Sequence, residues 1–210
     1  DLFGTLITDN PEEYRKIMSE SFGLNRDGYE TKVRNFISSK SFISQEIALD
    51  HLLNHLGKNF SPEETQSFFK QLETLKGGSQ LHDGALEVLQ ALRNRGAKIG
   101  IVSNNNTFLE DLVRKFRIDD HVNAVILSHK VMLMKPDVRI YQTALKLLES
   151  KPEDVTMVGD QLDKDVLPAL EMGMKAILFD PFGRNQSYEG KRIRSLRELI
   201  NVYSDNQKLH

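Results

Sequence analysis

The chain contains no cysteine among its 210 residues, which excludes a disulfide framework and a metal site built on thiolates. This absence fits a reducing compartment, so we expect a cytoplasmic protein. No apolar run approaches the length of a membrane span. The formal net charge is only −2, which gives no electrostatic reason to expect nucleic acid or an anionic membrane as a partner. The sequence leaves the oligomeric state open.

The sequence also lacks an initiator methionine, and no apolar strand stands ahead of its first motif at Asp1. We expect the natural N-terminus to lie upstream and to supply one further strand of the core. The sequence leaves open whether that upstream region contains a targeting segment.

The first six residues, DLFGTL, have the pattern of a carboxylate at the C-terminal end of a buried strand. Gly4 would allow a sharp turn, and the Thr5 hydroxyl can close it. In an open parallel sheet, ligands bind beyond the carboxyl ends of the strands, where Asp1 could act as a nucleophile. An ordinary surface aspartate before a turn is the alternative. The hexapeptide alone favours that alternative, because short motifs often match by chance.

Residues 10–77 have an almost entirely helical pattern. Asn10 and Ser61 are each followed by Pro-Glu-Glu, which is typical of an N-cap with proline at the first helical position. Apolar residues between them recur at helical spacing. The pattern predicts a bundle of four helices, near 11–22, 27–39, 44–56 and 62–75. The following Lys-Gly-Gly-Ser at 76–79 predicts a hinge or linker.

From residue 80 onward, helical stretches alternate with short apolar runs. The runs predict strands at 98–102, 123–127, 155–158 and 175–179, with helices near 83–94, 107–116, 137–149 and 164–172. Asp83 is expected to cap the first of these helices, and 193–203 to form a short strand or turn and a last helix. This alternation predicts an α/β fold, in which a parallel sheet is covered by helices on both faces.

Polar residues follow three of the predicted strands, at the edge where such folds bind ligands. Ser103 can offer its hydroxyl and nearby backbone N–H groups to an anion, although a Ser-Asn turn is more often only a turn. Lys135 precedes a proline and is held at a loop end, where an ammonium could neutralise a phosphoryl group, although a solvated surface lysine is commoner. Asp160, Asp163 and Asp165 crowd one strand-to-helix turn. Carboxylates clustered there favour Mg²⁺ over zinc.

The ordered set of motifs DLFGTL, IVSNNN, MKPDVRIY and MVGDQLDKDV closely resembles the haloacid dehalogenase-like hydrolase superfamily, in its helical-cap subfamily. The resemblance covers the whole chain. It implies a Rossmann-like three-layer parallel sheet core formed by residues 1–9 and 78–210. It also implies that residues 10–77 are an inserted four-helix cap.

The resemblance implies an aspartyl-phosphate mechanism on a small phosphorylated metabolite. Asp1 would attack phosphorus, and Ser103 and Lys135 would be catalytic and bind the transferring phosphoryl group. Thr5 and Asn104 would contribute to phosphate binding. A carboxylate can attack a phosphate dianion only where cations and preorganised donors offset the repulsion.

The resemblance also implies Mg²⁺ as the cofactor. Asp1, the backbone carbonyl of Phe3 and Asp160 would hold the ion, and Asp165 would act through water or as support. The role of Asp163 is left open. The cap would read the leaving group, and four of its side chains are polar candidates, although a solvated helix face is the default for each: Arg15, Arg34, Lys40 and His51.

One departure from the family pattern concerns the position two residues after the nucleophile. Phosphatases of this superfamily usually carry a general acid/base aspartate there, whereas this chain has Phe3. Three hypotheses follow. The first is a Mg²⁺-dependent phosphatase with a weakened or relocated acid. The second is a 2-haloacid dehalogenase-like enzyme, which shares the aromatic residue but generally lacks the Gly-Asp found here at Gly159-Asp160. The third is a non-catalytic binding protein that keeps the fold.

Overall fold

The computed structural model describes the backbone of residues 1–8 and 10–207, and the side chains as far as Val202. Helices and parallel strands alternate after residue 84, which confirms the α/β fold class. In the described residues, no helix is both long enough and apolar enough to cross a membrane.

The first part of the chain is helical after a short strand, β1 (Ile7–Thr8). Asn10 caps the first helix by accepting a hydrogen bond from the backbone N–H of Glu13, and Ser61 forms a full capping box with Glu64. Helical segments here are α1 (Pro11–Ser21), α2 (Arg26–Gly28), a π-helical segment (Tyr29–Arg34), α3 (Asn35–Ser38), α4 (Gln45–Leu56) and α5 (Pro62–Gly78).

These helices surround an apolar cluster of their own. Phe22 and Phe68 are fully buried at its centre, where their rings meet edge to face at 5.6 Å. From outside the helices, Phe108 reaches into the cluster and packs edge to face on Phe68. The helical segment is therefore fastened to the rest of the chain by at least one aromatic contact.

The prediction of a hinge at 76–79 is wrong in one respect: the secondary structure does not break there, because α5 continues through Gly78. Lys76 is buried, and its ammonium contacts Asp111 at 2.8 Å and Glu73 at 2.5 Å. That anchorage holds the last turn of the helix, so the low helix propensity of the two glycines does not end it. Ser79 then takes the C-cap position in an extended conformation.

The remaining helices are α6 (Ala85–Asn94), α7 (Asp111–Lys115), α8 (Ser128–Val131), α9 (Val138–Leu148), α10 (Leu167–Glu171) and α11 (Glu198–Gln207). A π-helical segment (Leu162–Val166) precedes α10. Asp83 does not cap α6. Gly84 occupies that position with φ +77°, a left-handed conformation that suits glycine, and Asp83 instead pairs with Arg197. The helix predicted at 107–116 is shorter than expected, because residues 107–110 form turns.

The parallel strands form two groups. β3 (Gly100–Ser103) pairs with β4 (Ala124–Leu127), and β5 (Thr156–Gly159) pairs with β6 (Lys175–Phe179), which pairs with β7 (Arg192–Ile193). A separate antiparallel pair joins β1 to β2 (Gln80–Leu81).

Side chains along these strands alternate between two apolar clusters. Ile101 faces the cluster that contains residues of α6 and α7, and its neighbour Val102 faces the cluster that contains residues of α9 and α10. Ile177 and Leu178 of β6 divide in the same way. The strands are thus covered on both faces, as the sequence predicts.

One edge of β3 and one edge of β5 have no strand partner among the described residues, and both border an apolar cavity of about 350 Å³. Asp1 lies at this cavity, since its backbone nitrogen donates to the carbonyl of Val158 at 2.8 Å. The strand expected ahead of Asp1 stays a prediction, and an extended apolar segment placed here would find two open edges.

Candidate active site

Asp1 is held by a tight loop formed by the residues that follow it. The backbone N–H groups of Leu6 and Ile7 both donate to the carbonyl of Leu2, at 2.8 and 2.9 Å, and that of Gly4 donates to Ile7. Gly4 has φ +77°, so the sharp turn predicted at this glycine is present. The Thr5 hydroxyl donates to Asp1 Oδ2 at 3.3 Å. The loop thereby fixes the direction of the Asp1 carboxylate.

Lys135 is the direct partner of that carboxylate. Its side chain is only 4% exposed, and Nζ lies 2.6 Å from Asp1 Oδ1 and 2.5 Å from Asp165 Oδ1. The Asn104 amide holds the backbone of Lys135 at both polar groups, accepting from its N–H at 2.7 Å and donating to its carbonyl at 2.9 Å. Residues separated by more than a hundred positions thus meet in one ion-pair network.

The acidic turn after β5 packs directly against the loop of Asp1. A β-carbon placed on Gly4 would lie 2.5 Å from Asp160 Oδ2, and one on Gly159 would lie 2.3 Å from the carboxyl carbon of Asp165. A larger residue at either position would therefore force the neighbouring aspartate side chain to move. Asp165 Oδ2 also accepts from the backbone N–H of Gln161 at 3.0 Å, so both oxygens of this buried carboxylate are occupied.

Asp160 differs from Asp165, because its buried Oδ1 has no hydrogen-bond partner. Burial and the neighbouring Asp165 raise the pKa of Asp160, with Lys135 acting in the opposite direction. An unpartnered carboxylate oxygen among like charges is costly unless a cation is bound there.

Oxygen atoms of Asp1, Asp160 and Asp165 lie within 4.8 Å of one another. This donor set contains only oxygen, which suits Mg²⁺, and the unpartnered Asp160 Oδ1 provides a free ligand atom. The residues present therefore fit a divalent cation. Because Asp165 is fully engaged with Lys135 and Gln161, it fits a supporting role better than direct ligation.

The other residues expected at the site fall into two groups. Ser103 is buried at the end of β3 and, with Phe3 and Asn104, lines the same cavity as Asp1 and Lys135. By contrast, Thr5 borders the apolar cavity beside β3 and β5. The Thr5 hydroxyl contacts Asp1, and the Asn104 amide contacts the backbone of Lys135. The phosphate-binding role expected for both side chains stays a prediction.

The cavity above Asp1 has a volume of about 390 Å³ and lies between the strand ends and the helices of the first part of the chain. On the strand side it is lined by Ser103, Lys135, Asp160 and Lys164. On the helix side it is lined by Tyr14, Arg15, Tyr29, Glu30 and Arg34. The Tyr14 hydroxyl also donates to Asn106 Oδ1 at 3.3 Å, which ties α1 to the turn after β3.

Two of the four polar candidates from the helical segment reach this cavity, namely Arg15 and Arg34. The other two do not line it. The Lys40 ammonium lies over the ring of Phe36 at 4.0 Å, and His51 packs beside Phe42. Sequence reasoning missed Glu30 and Lys164. Lys164 could have been found, because it lies in the acidic motif one helical turn after Asp160.

The chain matches a known protein family. The model of the haloacid dehalogenase-like hydrolase family matches residues 1–173, which is most of the chain. The chain belongs to this family. The four motifs quoted from its sequence all lie within the matched residues.

Individual relatives show how far the similarity extends. The chain is 33% identical over 97 residues to glyceraldehyde 3-phosphate phosphatase of Pyrococcus furiosus, a match that covers 46% of this chain and 40% of that protein. Less than half of that relative is thus spanned.

Solved structures match over nearly the full chain. A phosphatase of this family from Thermococcus onnurineus superposes with a TM-score of 0.67 and 22% identity, covering 97% of this chain and 95% of that one. A 2-haloacid dehalogenase from Pseudomonas syringae gives the same TM-score at 21% identity, covering 98% and 96%. At these identities the comparison establishes the fold and does not separate the two chemistries.

Proposed function

We propose that the protein is a Mg²⁺-dependent phosphatase that hydrolyses a small phosphorylated metabolite through a phosphorylated Asp1. The observation that carries the proposal is the network in which Lys135 Nζ lies 2.6 Å from Asp1 Oδ1, beside the unpartnered oxygen of Asp160. The network combines an oriented nucleophile, a fixed positive charge and a place for a cation. Attack on a phosphate dianion requires all three.

In the first step a carboxylate oxygen of Asp1 forms a bond to phosphorus. The bond between phosphorus and the leaving oxygen breaks, and its electron pair stays with the leaving group. The Thr5 hydroxyl and Lys135 Nζ restrict the carboxylate to one orientation. Lys135 also offsets the repulsion between the carboxylate and the incoming dianion, and Ser103 lies in the same cavity to receive a phosphoryl oxygen.

In the second step water attacks the phosphorus of the acyl phosphate, which releases inorganic phosphate and restores the Asp1 carboxylate. Asp1, the Phe3 carbonyl and Asp160 would hold Mg²⁺, with Asp165 supporting Lys135. When bound, the ion would supply Lewis-acid stabilisation of the charge on the phosphoryl oxygens.

This site is poorly equipped to protonate the leaving group. Phe3 offers no proton, and among the described residues the cavity carboxylates are Asp1, Glu30 and Asp160. Glu30 is a poor acid. Burial acts to raise its pKa, but hydrogen bonds and charge from Arg34 and Arg15 hold the pKa below its usual value. We therefore infer a preference for leaving groups that depart without a proton, such as acyl or aryl phosphates.

The helices of residues 10–77 are proposed as the cap that reads the leaving group. Support comes from their separate apolar cluster and from their position on the far side of the cavity from Asp1. A cytoplasmic location is proposed from composition alone.

The test is a panel of acyl, aryl and alkyl phosphates assayed for phosphate release with Mg²⁺ and with EDTA. We expect turnover with Mg²⁺, its loss with EDTA and its recovery when Mg²⁺ is restored. Turnover that persists unchanged in EDTA would contradict the cation role. Absence of turnover on every phosphate would favour the dehalogenase or the non-catalytic alternative.

The dehalogenase alternative has one specific observation in its favour, the aromatic Phe3 two residues after the nucleophile. In that reaction Asp1 displaces halide from carbon, and no metal is needed. The unpartnered carboxylate oxygen of Asp160 argues against it. Halide release from 2-chloropropionate in the presence of EDTA would decide for the dehalogenase.

A further inference from the structure

Three positively charged side chains, Arg15, Arg34 and Lys164, line the cavity in addition to Lys135. Arg15 and Arg34 come from its helix side, where Glu30 is the lining carboxylate, and Lys164 comes from its strand side. Arg15 Nε and Arg34 Nη1 share that carboxylate, at 3.3 and 2.8 Å. Glu12 also contacts Arg15, but its side chain is 70% exposed and lies outside the cavity lining.

Lys164 is the cation that these contacts leave without an anionic partner. It comes from the strand side, in the turn after β5, and its Nζ bonds to the neutral Gln161 Oε1 at 2.7 Å. Burial, Arg34 and Lys135 lower the pKa of Lys164, and Asp163 and Asp165 act in the opposite direction. Arg34 and Lys164 thus bring like charges from opposite walls to the one cavity that also contains Asp1.

The charged side chains assigned to the reaction at phosphorus, Asp1 and Lys135, are different from Arg34 and Lys164. Lys135 is occupied by Asp1 and Asp165 at the floor, and Ser103 lies beside it. The transferring phosphoryl group therefore has its own cationic partner. A second anionic group would relieve the repulsion between Arg34 and Lys164, because both side chains could bind it.

We propose that Arg34 and Lys164, together with Arg15, form a subsite for a second anionic group on the leaving group of the substrate. The substrate is then a phosphomonoester whose leaving group carries a carboxylate or a second phosphate, rather than a neutral sugar or alcohol. This inference rests on the proposed phosphatase function for its chemistry. Arg34 and Lys164 act as specificity-determining residues and take no part in the bond changes at phosphorus.

The test uses pairs of substrates that differ in one anionic group. 4-Carboxyphenyl phosphate and 4-(hydroxymethyl)phenyl phosphate are aryl phosphates that differ by a carboxylate in place of a hydroxymethyl group. 1,4-Phenylene bisphosphate and 4-hydroxyphenyl phosphate differ by the second phosphate. We expect the anionic member of at least one pair to have a KM lower by about 10-fold or more, as one charge-assisted contact provides. The pair that shows the larger ratio identifies the carboxylate or the phosphate as the preferred group.

Substitution then assigns the effect to the subsite. Lys164→Gln and Arg34→Gln are expected to lower the KM ratio within the preferred pair toward one, with a smaller effect on kcat. Lys40→Gln removes one positive charge from the same helical segment, outside the cavity, and should keep the wild-type ratio. A ratio near one in the wild-type protein, or a ratio that Lys164→Gln and Arg34→Gln both leave intact, would overturn the proposal.

Binding to an Asp1→Asn variant separates failure of the subsite from failure of the proposed function. Calorimetric titration with each pair needs no turnover. If no phosphate is hydrolysed but the anionic members still bind about 10-fold more tightly, the subsite stands and the phosphatase proposal fails. If the substrates are hydrolysed and the members of each pair bind equally, the subsite fails and the phosphatase proposal stands.

Discussion

The two walls of the active cavity hold their polar side chains in different ways. On the strand side, Asp1, Lys135 and Asp165 bond to one another and to backbone groups, and their side chains are no more than 4% exposed. On the helix side, Arg15 and Arg34 pair with acidic residues of the same helical segment, and their side chains are 19% and 32% exposed.

This difference follows from the elements that carry the residues. Ends of parallel strands meet at one edge of a sheet, so side chains that are remote in sequence converge there with little freedom. A helix face presents its charges to whatever lies opposite, and long side chains can pair locally or turn toward a ligand. The strand side is therefore suited to fixed chemistry, and the helix side to recognition.

The largest effect is expected from removing the nucleophile on the strand side. Asp1→Asn should lower kcat by about 10³-fold or more, because the amide cannot form the acyl phosphate. The matched control is Asp163→Asn, since Asp163 is exposed in the acidic turn and should change activity by no more than about twofold. Steady-state phosphate release measures both. Equal activity of Asp1→Asn and wild type would remove Asp1 from the chemistry.

The second largest effect is expected from adding a general acid at position 3, where this chain has Phe3. Phe3→Asp should raise kcat/KM for alkyl phosphates by about 10- to 100-fold and for aryl phosphates much less, because only the poorer leaving group needs a proton. Phe3→Asn removes the ring without adding an acid and serves as the control. A gain of equal size on both substrate classes, or no gain on either, would show that the residue at position 3 does not limit protonation.

Alanine substitution at two glycines allows the close packing of the strand side to be compared with an open position among the helices. Gly4 and Gly57 both have positive φ, at +77° and +64°, so alanine strains either backbone by about 1 kcal/mol. Only at Gly4 would the new methyl group meet another residue, Asp160 Oδ2 at 2.5 Å, whereas nothing lies within 4 Å at Gly57.

We therefore expect Gly4→Ala to lower the free energy of unfolding by about 1–3 kcal/mol more than Gly57→Ala. Urea denaturation gives both values. Gly4→Ala should also reduce kcat, since it displaces a carboxylate of the cation site. Equal destabilisation by the two substitutions would mean that Asp160 does not approach the loop of Asp1 so closely.

The smallest expected effect is a pH dependence of stability at His129, in helix α8. His129 is fully buried beside Glu110, with Nε2 2.7 Å from Oε2, and Lys130 also contacts that carboxylate. Burial lowers the pKa of His129 from 6.5, although Glu110 acts in the opposite direction. The unfolded chain then binds a proton more readily than the folded one, so stability falls as the pH drops below 6.5.

We expect the loss of unfolding free energy between pH 7 and pH 5 to be smaller in His129→Asn, by up to about 1 kcal/mol. Glu110 contributes in a lower range, because hydrogen bonds from Lys130 and His129 outweigh burial and hold its pKa below 4.5. His121→Asn, at a partly exposed histidine, should keep the wild-type slope. An unaltered slope in His129→Asn would contradict the shifted titration.

The same contrast explains what could be predicted from the sequence. Ser103 and Asp160 directly follow apolar runs, Lys135 comes in the segment after the run at 123–127, and the pattern of DLFGTL predicts the C-terminal end of a strand at Asp1. The alternation of strands and helices predicts that such positions share one edge. Their convergence was therefore accessible without coordinates. The contacts of Thr5 with Asp1 and of Asn104 with Lys135 were not, because a short polar side chain after a strand can bond equally well to a ligand or to a neighbouring residue.

The helix side was harder to predict for a physical reason. Charged residues on an amphipathic helix are usually solvated, so sequence alone does not separate Arg15 and Arg34, which reach the cavity, from Lys40, which packs on Phe36. The sequence also did not predict that α5 continues through the glycines after Lys76. Their helix continues because Lys76 is anchored by Asp111, a contact that no local pattern encodes.

The central claim is that a side chain of the protein, and not water, makes the first bond to phosphorus. The most direct measurement is the stereochemical course of hydrolysis of a phosphorothioate monoester that carries ¹⁶O and ¹⁸O on phosphorus, carried out in H₂¹⁷O so that the thiophosphate product has four different substituents. Two successive displacements, the first by Asp1 and the second by water, predict inorganic thiophosphate with overall retention of configuration. Inversion would show a single direct attack by water and would contradict the account.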